Sequence, residues 1–519
     1  MRSATTPWAT AKALAHALPI CLLSACAGTP SQNTLADIRN NSNPVDRSQR
    51  ATTHFTPALR CMDDLMFSRG TRDVTVMMEE MRDATQRVPI SARDMMTSAM
   101  SDISRRSRGV RLSVFGGDQQ NLTQFLQLAQ KSTPFAVVPQ YSIRGTVSQL
   151  DEAVQKTSGS FGATLAESVF GIRLGSDTRF AVMGLDAAVV QTDSMTLLPG
   201  VVSKNTTVLV SRDASAEEGQ ARLVRQDVGL VFSMASSRAD GPAQAARNMV
   251  ELATVELVGR LIKAPYWQCL GLSDSDPEVQ REMDDWYLSM DEGERIRFFK
   301  ERMRESRYYD GDIDDKDDAS FQQALRAYRQ AMGLKGKGVL DEQFFRQFVT
   351  QAVPKKARLV SAHAQALTHS DPVARPAPAA SQTPATPPMN LSLFVGANTA
   401  GKSAGLDVRV NTTGYVYCYS QDAVSGRIQR IFPNRFQSDP RLIPGKPLRL
   451  PGRGRFALNA AAQYGCIHAP QEIYADLPPP LRWGDFEDIR LNSFEDIQQH
   501  FAKASGLDVQ LVRQVLQKR

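Results

Sequence analysis

The stretch GANTAGKS, Gly396 to Ser403, has the spacing of a phosphate-binding loop: Gly396, four residues, then Gly401, Lys402 and Ser403. Such a loop works when a strand leads in and a helix leads out, so that the helix N-terminal amides face the anion. The apolar run Leu391 to Val395 meets the first condition. After Ser403, however, AGLDVRVNTTGYVYCYS alternates apolar and polar residues, which predicts a strand. No helix is available to supply the dipole. The match therefore reads as a hairpin turn, with the glycines serving the turn and Lys402 in water.

Other chemistry is thin. The six histidines are scattered, without zinc spacing, and no Gly-x-Ser-x-Gly elbow occurs. Carboxylates are plentiful, but no catalytic pair stands out. Asp310, Asp312 and Asp314 occupy the first, third and fifth positions of a calcium loop. Asp315 stands where the sharp turn needs glycine, and Phe321 where a bidentate glutamate belongs. The run reads as a solvated acidic turn. The expectation is a protein without enzymatic activity, cofactor or metal.

The N-terminal residues carry a different chemistry. Arg2 and Lys12 precede a short, mostly apolar run, Leu14 to Leu23, too short to span a bilayer as a permanent helix. It reads as a signal peptide over residues 1–25. The run ends in Leu23-Ser24-Ala25-Cys26, which resembles the bacterial lipobox. That resemblance implies cleavage before Cys26 and acylation of its thiol, with anchoring to a bilayer. Ala27 rather than aspartate after the cysteine implies the outer membrane, periplasmic face. Loss of Arg2 and Lys12 lowers the formal charge from +6 to +4. This mild charge, without a basic-aromatic cluster, argues against nucleic acid. Cys21 leaves with the signal. Cys61, Cys269, Cys418 and Cys466 then form an even set in an exported chain, which favours disulfides over free buried thiols. Each pair lies within one apparent domain, predicting Cys61–Cys269 and Cys418–Cys466.

The elements that position these residues fall into three units, for about 490 mature residues. Residues 26–55 are a polar tether and residues 353–390 a Pro/Ala-rich linker. In the first unit, residues 56–270, VTVMMEEM, VRLSVF, YSIRGTVSQLD and FAVMGLDAAVVQT read as strands. ISARDMMTSAMSDISRRS and AQAARNMVELATVELVGRLI read as helices, with Met95, Met96, Ala99 and Ile103 of the former taken as core. The predicted fold class is multidomain: an α/β (α+β) unit, a small all-α three-helix unit over 275–352, and a mostly-β sandwich over 391–519 with a C-terminal helix.

The order strand YSIRGTVSQLDE, Gly/Ser-rich hairpin, strand AVMGLDAAVVQTDS, second hairpin, and helix ending LIKAPYW resembles the curli-secretion channel lipoproteins and their holdfast-attachment relatives. The resemblance covers about residues 58–268 and implies two β-hairpins donated by each protomer to a homo-oligomeric outer-membrane ring. That ring exports secreted polymer subunits. A barrel strand needs alternating lipid-facing residues over about 9–11 positions. In the first hairpin Phe161, Ala163 and Leu165 share a face going out, and Phe170, Ile172 and Leu174 coming back. In the second, Val208 and Val210 lead out, and Val224, Val228, Leu230 and Phe232 lead back, with Gln226 interrupting. Soluble hairpins over an α/β core fit the same alternation.

The middle unit resembles the peptidoglycan-binding helical domain of cell-wall hydrolases. Tyr309, Asp310, Gly311, Asp312 and Tyr328 are the residues that this resemblance marks for wall binding. DKDDAS replaces that family's Gly-Phe-Gly segment, and Tyr328-Arg329 its Phe-Gln pair. The last unit, DVRVNTTGYVYCYSQDAVSGRIQRIFPNRFQ followed by LIPGKPLRLP, resembles an uncharacterised bacterial envelope domain. Tyr415, Tyr417 and Tyr419 alternate there, reading as a half-buried sheet face rather than a partner surface. FEDIQQHFAKASGLDVQLVRQVLQ reads as one helix packed on this unit. Together these features predict a wall-anchored outer-membrane lipoprotein that forms or supports an export ring. The alternative is a lipid-tethered periplasmic adaptor that binds peptidoglycan or a protein partner without a pore.

Overall fold

The structure is a computed structural model. It describes residues 53–79, 81–85, 91–114, 138–154, 178–212, 221–225, 230–234, 242–334, 340–351, 389–398, 401–452, 456–459, 462–506 and 509–515. Cys26, the signal segment and the linker lie outside these residues.

The first part runs α1 (Thr56–Arg69), β1 (Val74–Met78), β2 (Arg82–Asp83), α2 (Ala92–Ile103) and β3 (Val110–Val114). It continues β4 (Tyr141–Val154), β5 (Thr178–Gln191), β6 (Thr196–Arg212), β7 (Ala221–Arg225), β8 (Leu230–Met234), α3 (Pro242–Leu261) and α4 (Tyr266–Cys269). Its sheet has the order β3-β1-β4-β5-β6-β7-β8, with β2 beside β4. β1 is parallel to β3 and β4, while β4 to β8 are antiparallel neighbours. Ser91 caps α2 by accepting from the Asp94 amide, and Ala92, Met96, Ala99, Met100 and Ile103 give it one buried stripe. α3 is buried along nearly its whole length, so its polar residues need partners inside. Glu256, fully buried, accepts from Ser203 at 2.6 Å and from Asn205 at 3.1 Å on β6.

Four helices follow, where three were expected: α5 (Pro277–Ser289), α6 (Glu292–Glu305), α7 (Ala319–Ala331) and α8 (Glu342–Thr350). The additional start is Asp291, which forms a reciprocal capping box with Glu294 and breaks one charged stretch into two helices. Asp276, Asp318 and Asp341 cap the other three. Phe299, Phe321, Phe344, Phe345 and Phe348 fill the space between them. This packing is continuous with that beneath the sheet, so one apolar core runs from Phe55 to Val349. Cys61 on α1 is bonded to Cys269 at the end of α4, with Cα atoms 5.5 Å apart.

The last part comprises β9 (Met389–Asn398), β10 (Gly401–Val410), β11 (Gly414–Gln421), β12 (Ile428–Phe432), β13 (Arg441–Leu442) and β14 (Leu448–Leu450). Then come β15 (Gln463–Ala469), β16 (Asp488–Ile489), α9 (Phe494–Ser505) and β17 (Gln510–Val515). One sheet is β14-β10-β9; the other is β16-β12-β11-β15-β17, with β13 beside β11. The expected single C-terminal helix ends at Ser505, where Gly506 takes a left-handed φ of 64°. Gln510 to Val515 instead add an edge strand antiparallel to β15. The glycine-lysine-serine stretch lies on two antiparallel strands, with Gly396 opposite Ser403 and Asn398 opposite Gly401. Strand geometry on both sides leaves no helix N-terminus for a phosphate.

β11 separates two cores. Val416 and Cys418 face the smaller sheet, and Cys418 is bonded to Cys466 directly across on β15. Tyr415, Tyr417 and Tyr419 face α9 and the turns before it, each at most 1% exposed. They are core residues, not a partner surface. Tyr417 donates to Glu472 at 2.5 Å, whereas the buried Tyr419 hydroxyl meets no partner. Tyr419→Phe should therefore leave stability unchanged or raise it by about 1 kcal/mol, while Tyr417→Phe should lose about 1.5 kcal/mol or more. Urea denaturation of both variants checks this; equal losses would contradict it.

Candidate functional site

The residues marked for wall binding are not on an open groove. Tyr309 is 3% exposed and donates to the Asp312 carbonyl at 2.8 Å. A Cβ on Gly311 would lie 2.2 Å from that tyrosine hydroxyl, so glycine is required by close approach. Asp310 accepts from Tyr415, and Asp312 pairs with Arg441, both on the C-terminal part. Tyr328 is 5% exposed, its ring 4.8 Å from Phe348 and 5.1 Å from Tyr308. Of the residues expected for wall binding, Asp310, Gly311 and Asp312 build a docking contact or the turn behind it, and the two tyrosines are core. Asp314 turns to the buried Lys300, 2.6 Å away, so the three acidic residues of the calcium spacing reach three different partners. Among the described residues no group of three His, Cys, Asp or Glu is placed to hold a metal ion.

Of the hairpin candidates, Phe161, Leu165, Phe170, Ile172, Leu174 and Val228 lie outside the described residues. Val224 lies on β7, and Leu230 and Phe232 on β8. The single returning arm expected for these residues is corrected. β7 and β8 are antiparallel partners, with Leu223 opposite Phe232 and Arg225 opposite Leu230. The residues between these two strands, 226–229, lie outside the described residues. No described helix is long and apolar enough to cross a membrane.

What the structure assembles instead is a charged junction between the C-terminal part and the rest. Asp73 and Arg430, 4% and 1% exposed by side chain, are joined through two hydrogen bonds of 2.7 and 3.0 Å. Asp73 also accepts from the Asp485 amide at 2.9 Å. Burial, the largest single influence, would raise the Asp73 carboxyl; the Arg430 guanidinium, with Arg72 and the Asp485 amide, together outweigh it and hold the pKa below the ordinary carboxylate value. Asp485, fully buried, takes Arg111 from β3 at 2.8 Å and Arg435 at 2.5 Å. Arg482 lies 3.7 Å over the Phe67 ring and donates to the Phe67 carbonyl at 2.5 Å, near the C-terminal end of α1. Arg304–Asp439 and Arg307–Asp476 continue the contact along α6 and just beyond it. Nothing in the local pattern marks these residues. Their only sequence signal is an arginine-rich surface facing aspartates hundreds of positions away.

Beside this junction opens a cleft of about 610 Å³, bounded by the ends of α1 and α3, by α6, and by Ser438–Pro440 and Glu472–Asp476. A second cavity of about 280 Å³ adjoins it on the helical side. Arg69, Lys263, Phe298, Arg302 and Glu305 line both. Arg302 is neutralised by Glu305 at 3.0 Å and donates to the Ile262 carbonyl at 2.7 Å. Burial and the neighbouring Arg302 push the Arg69 pKa down, and burial does the same to Lys263. The larger cleft carries both signs, with Glu301, Glu305, Asp439, Glu472 and Asp476 among its basic residues. In the smaller cavity Arg69, Lys263 and Arg302 face Glu305 alone, a setting that can hold an anion.

Residues 398–467 match the model of a domain of unknown function (DUF4384). The matched segment carries the tyrosine face, the Cys418–Cys466 pair, and Arg430 and Arg435 of the junction. Arg482 and Asp485 lie beyond it. No curated protein matches the chain.

Proposed function

We propose that this chain is a lipid-anchored protomer of an outer-membrane export ring, similar in its first part to the curli and holdfast secretion channels. The observation that carries this reading is the sheet register. Val154 at the end of β4 pairs with Arg179, and Thr178 at the start of β5 pairs with Arg212 at the end of β6. Val208 of β6 pairs with Arg222 of β7. The strand ends that flank 155–177 and 213–220 thus lie side by side at one end of the sheet, on strands of 14 and 17 residues. Two neighbouring hairpins at one sheet end are what each copy must contribute to a shared barrel. The C-terminal part, docked through Asp73 and Arg430, is then a fixed attachment on the periplasmic side. Peptidoglycan binding is left out of this reading, because Tyr309, Asp310, Gly311, Asp312 and Tyr328 serve the core and the docking contact.

Particle imaging of the detergent-extracted protein tests the proposal, with a closed ring as the expected result. Deletion of residues 158–175 should abolish export while leaving urea stability of the remaining domain within about 1 kcal/mol, since the described core is built without them. A monomeric particle, or export unaffected by the deletion, would leave the lipid-tethered adaptor in its place.

A further inference from the structure

The cleft holds two cations, Arg69 and Lys263, that Glu305 and Glu294 respectively compensate only from a distance. Among the described residues neither Arg69 nor Lys263 ends on a carboxylate; Arg69 donates only a long hydrogen bond, 3.4 Å, to the Val349 carbonyl. The C-terminal ends of α1, α3 and α8 converge here and attract positive charge, which is a purely structural role for a cation. That role accounts for Arg302, which bonds a carbonyl at the end of α3 and has its own glutamate. It does not account for two further cations in a half-buried space, where desolvation and Arg302 oppose the charge on each more than Glu305 supports Arg69 or Glu294 supports Lys263.

The smaller cavity has an apolar wall of Leu65, Pro265, Phe298, Phe348 and Val349, beside the polar Ser68, Ser306, Tyr328 and Gln351. Its mouth carries the Gln268 amide, 3.3 Å from the Thr350 carbonyl, a pair able to serve a peptide group. At about 280 Å³ it is near the lower end of ligand pockets, which run from about 300 to 1,000 Å³. A bare inorganic anion would satisfy the cations and leave the apolar walls unused. A chain end with a carboxylate and an apolar last side chain uses both. We propose that this cavity captures the free carboxylate terminus of an apolar peptide, with Arg69 and Lys263 holding the carboxylate and Phe298 and Phe348 the side chain. The proposal is independent of ring formation.

The test is calorimetric titration of the mature chain with acetyl-Ala-Ala-Phe as the free acid, with the same peptide as its C-terminal amide, and with inorganic phosphate. The acid should bind at least about tenfold more tightly than the amide and than phosphate, the effect expected of a hydrogen-bonded charge. Arg69→Met and Lys263→Gln should each remove the preference for acid over amide. Melting temperature separates this from a capping role: Arg69→Met should not lower it, because removal relieves a charge compensated only from a distance. Equal binding of acid and amide, no binding of either, or phosphate binding as tightly as the acid would overturn the proposal. So would an Arg69→Met variant that melts earlier yet keeps the acid preference.

Discussion

Asp73→Ala should loosen the C-terminal part from the rest of the molecule and cost about 3–5 kcal/mol, the loss typical when one partner of a buried ion pair is removed. The reason is asymmetry. Arg430 is fully buried, and its guanidinium would keep the Pro433 and Trp483 carbonyls but lose the carboxylate that compensates its charge. The Asp485 amide would lose its acceptor at the same time. Trp483, stacked 3.9 Å under Arg108 at this junction, should report the change by fluorescence in a urea titration. Asp73→Ala combined with Arg430→Met should recover a large part of the loss, because no unpaired charge is then left inside. An equal loss in the single and double variants would show that packing, not charge, holds the junction.

The same pair sets an acid limit. The Asp73 carboxyl titrates below its unfolded value, which is about 3.9. A depressed pKa contributes stability that is fully present above the unfolded value and lost as pH falls through the folded one. Docking should therefore weaken progressively below about pH 4 in the wild type. In Asp73→Ala this part of the pH dependence should be missing. Stability that fell equally in both proteins over that range would assign the acid limit elsewhere.

Replacement of Cys61 and Cys269 together by serine should lower unfolding free energy by about 5 kcal/mol. The bond spans a sequence separation of 208, so it removes much of the unfolded chain's freedom. The Cys418–Cys466 pair, with a separation of 48, should contribute about 4 kcal/mol in the same chain-entropy account. The two pairs also act on different cores, the first tying α1 to α4 and the second joining facing strands. Denaturant titration of each double serine variant gives the comparison. No loss on replacing Cys61 and Cys269 would mean that the unfolded state is already held compact by other contacts.

The elements near the sequence surface of this problem were legible because their patterns are local. Ala92, Met96, Ala99, Met100 and Ile103 recur at helical spacing, and a helix stands there. Tyr415, Tyr417 and Tyr419 alternate, and a strand stands there with one face buried. The misread elements are those where local patterns compete. Gln510 to Val515 continue the apolar rhythm of α9, but Gly506 ends the helix and the free edge of β15 offers a ladder. Val224 and Phe232 fit one alternating arm, yet they stand on two strands that pair antiparallel with each other. At the acidic loop the residue types matched a family's binding positions, yet Arg441 and Tyr415 from the other part of the chain reached them first.

By itself the sequence determined the positions of the main helices and strands, the hairpin nature of the glycine-lysine-serine stretch, and the buried character of the tyrosine strand. Each depends on periodicity within a dozen residues, which backbone geometry enforces directly. Only the tertiary structure decided that Asp73 meets Arg430, 357 positions away, and that Arg69 and Lys263 line one cleft without ending on a carboxylate among the described residues. Burial changes the energy of a charge by amounts that depend on every group around it. That environment exists only once distant segments have packed together.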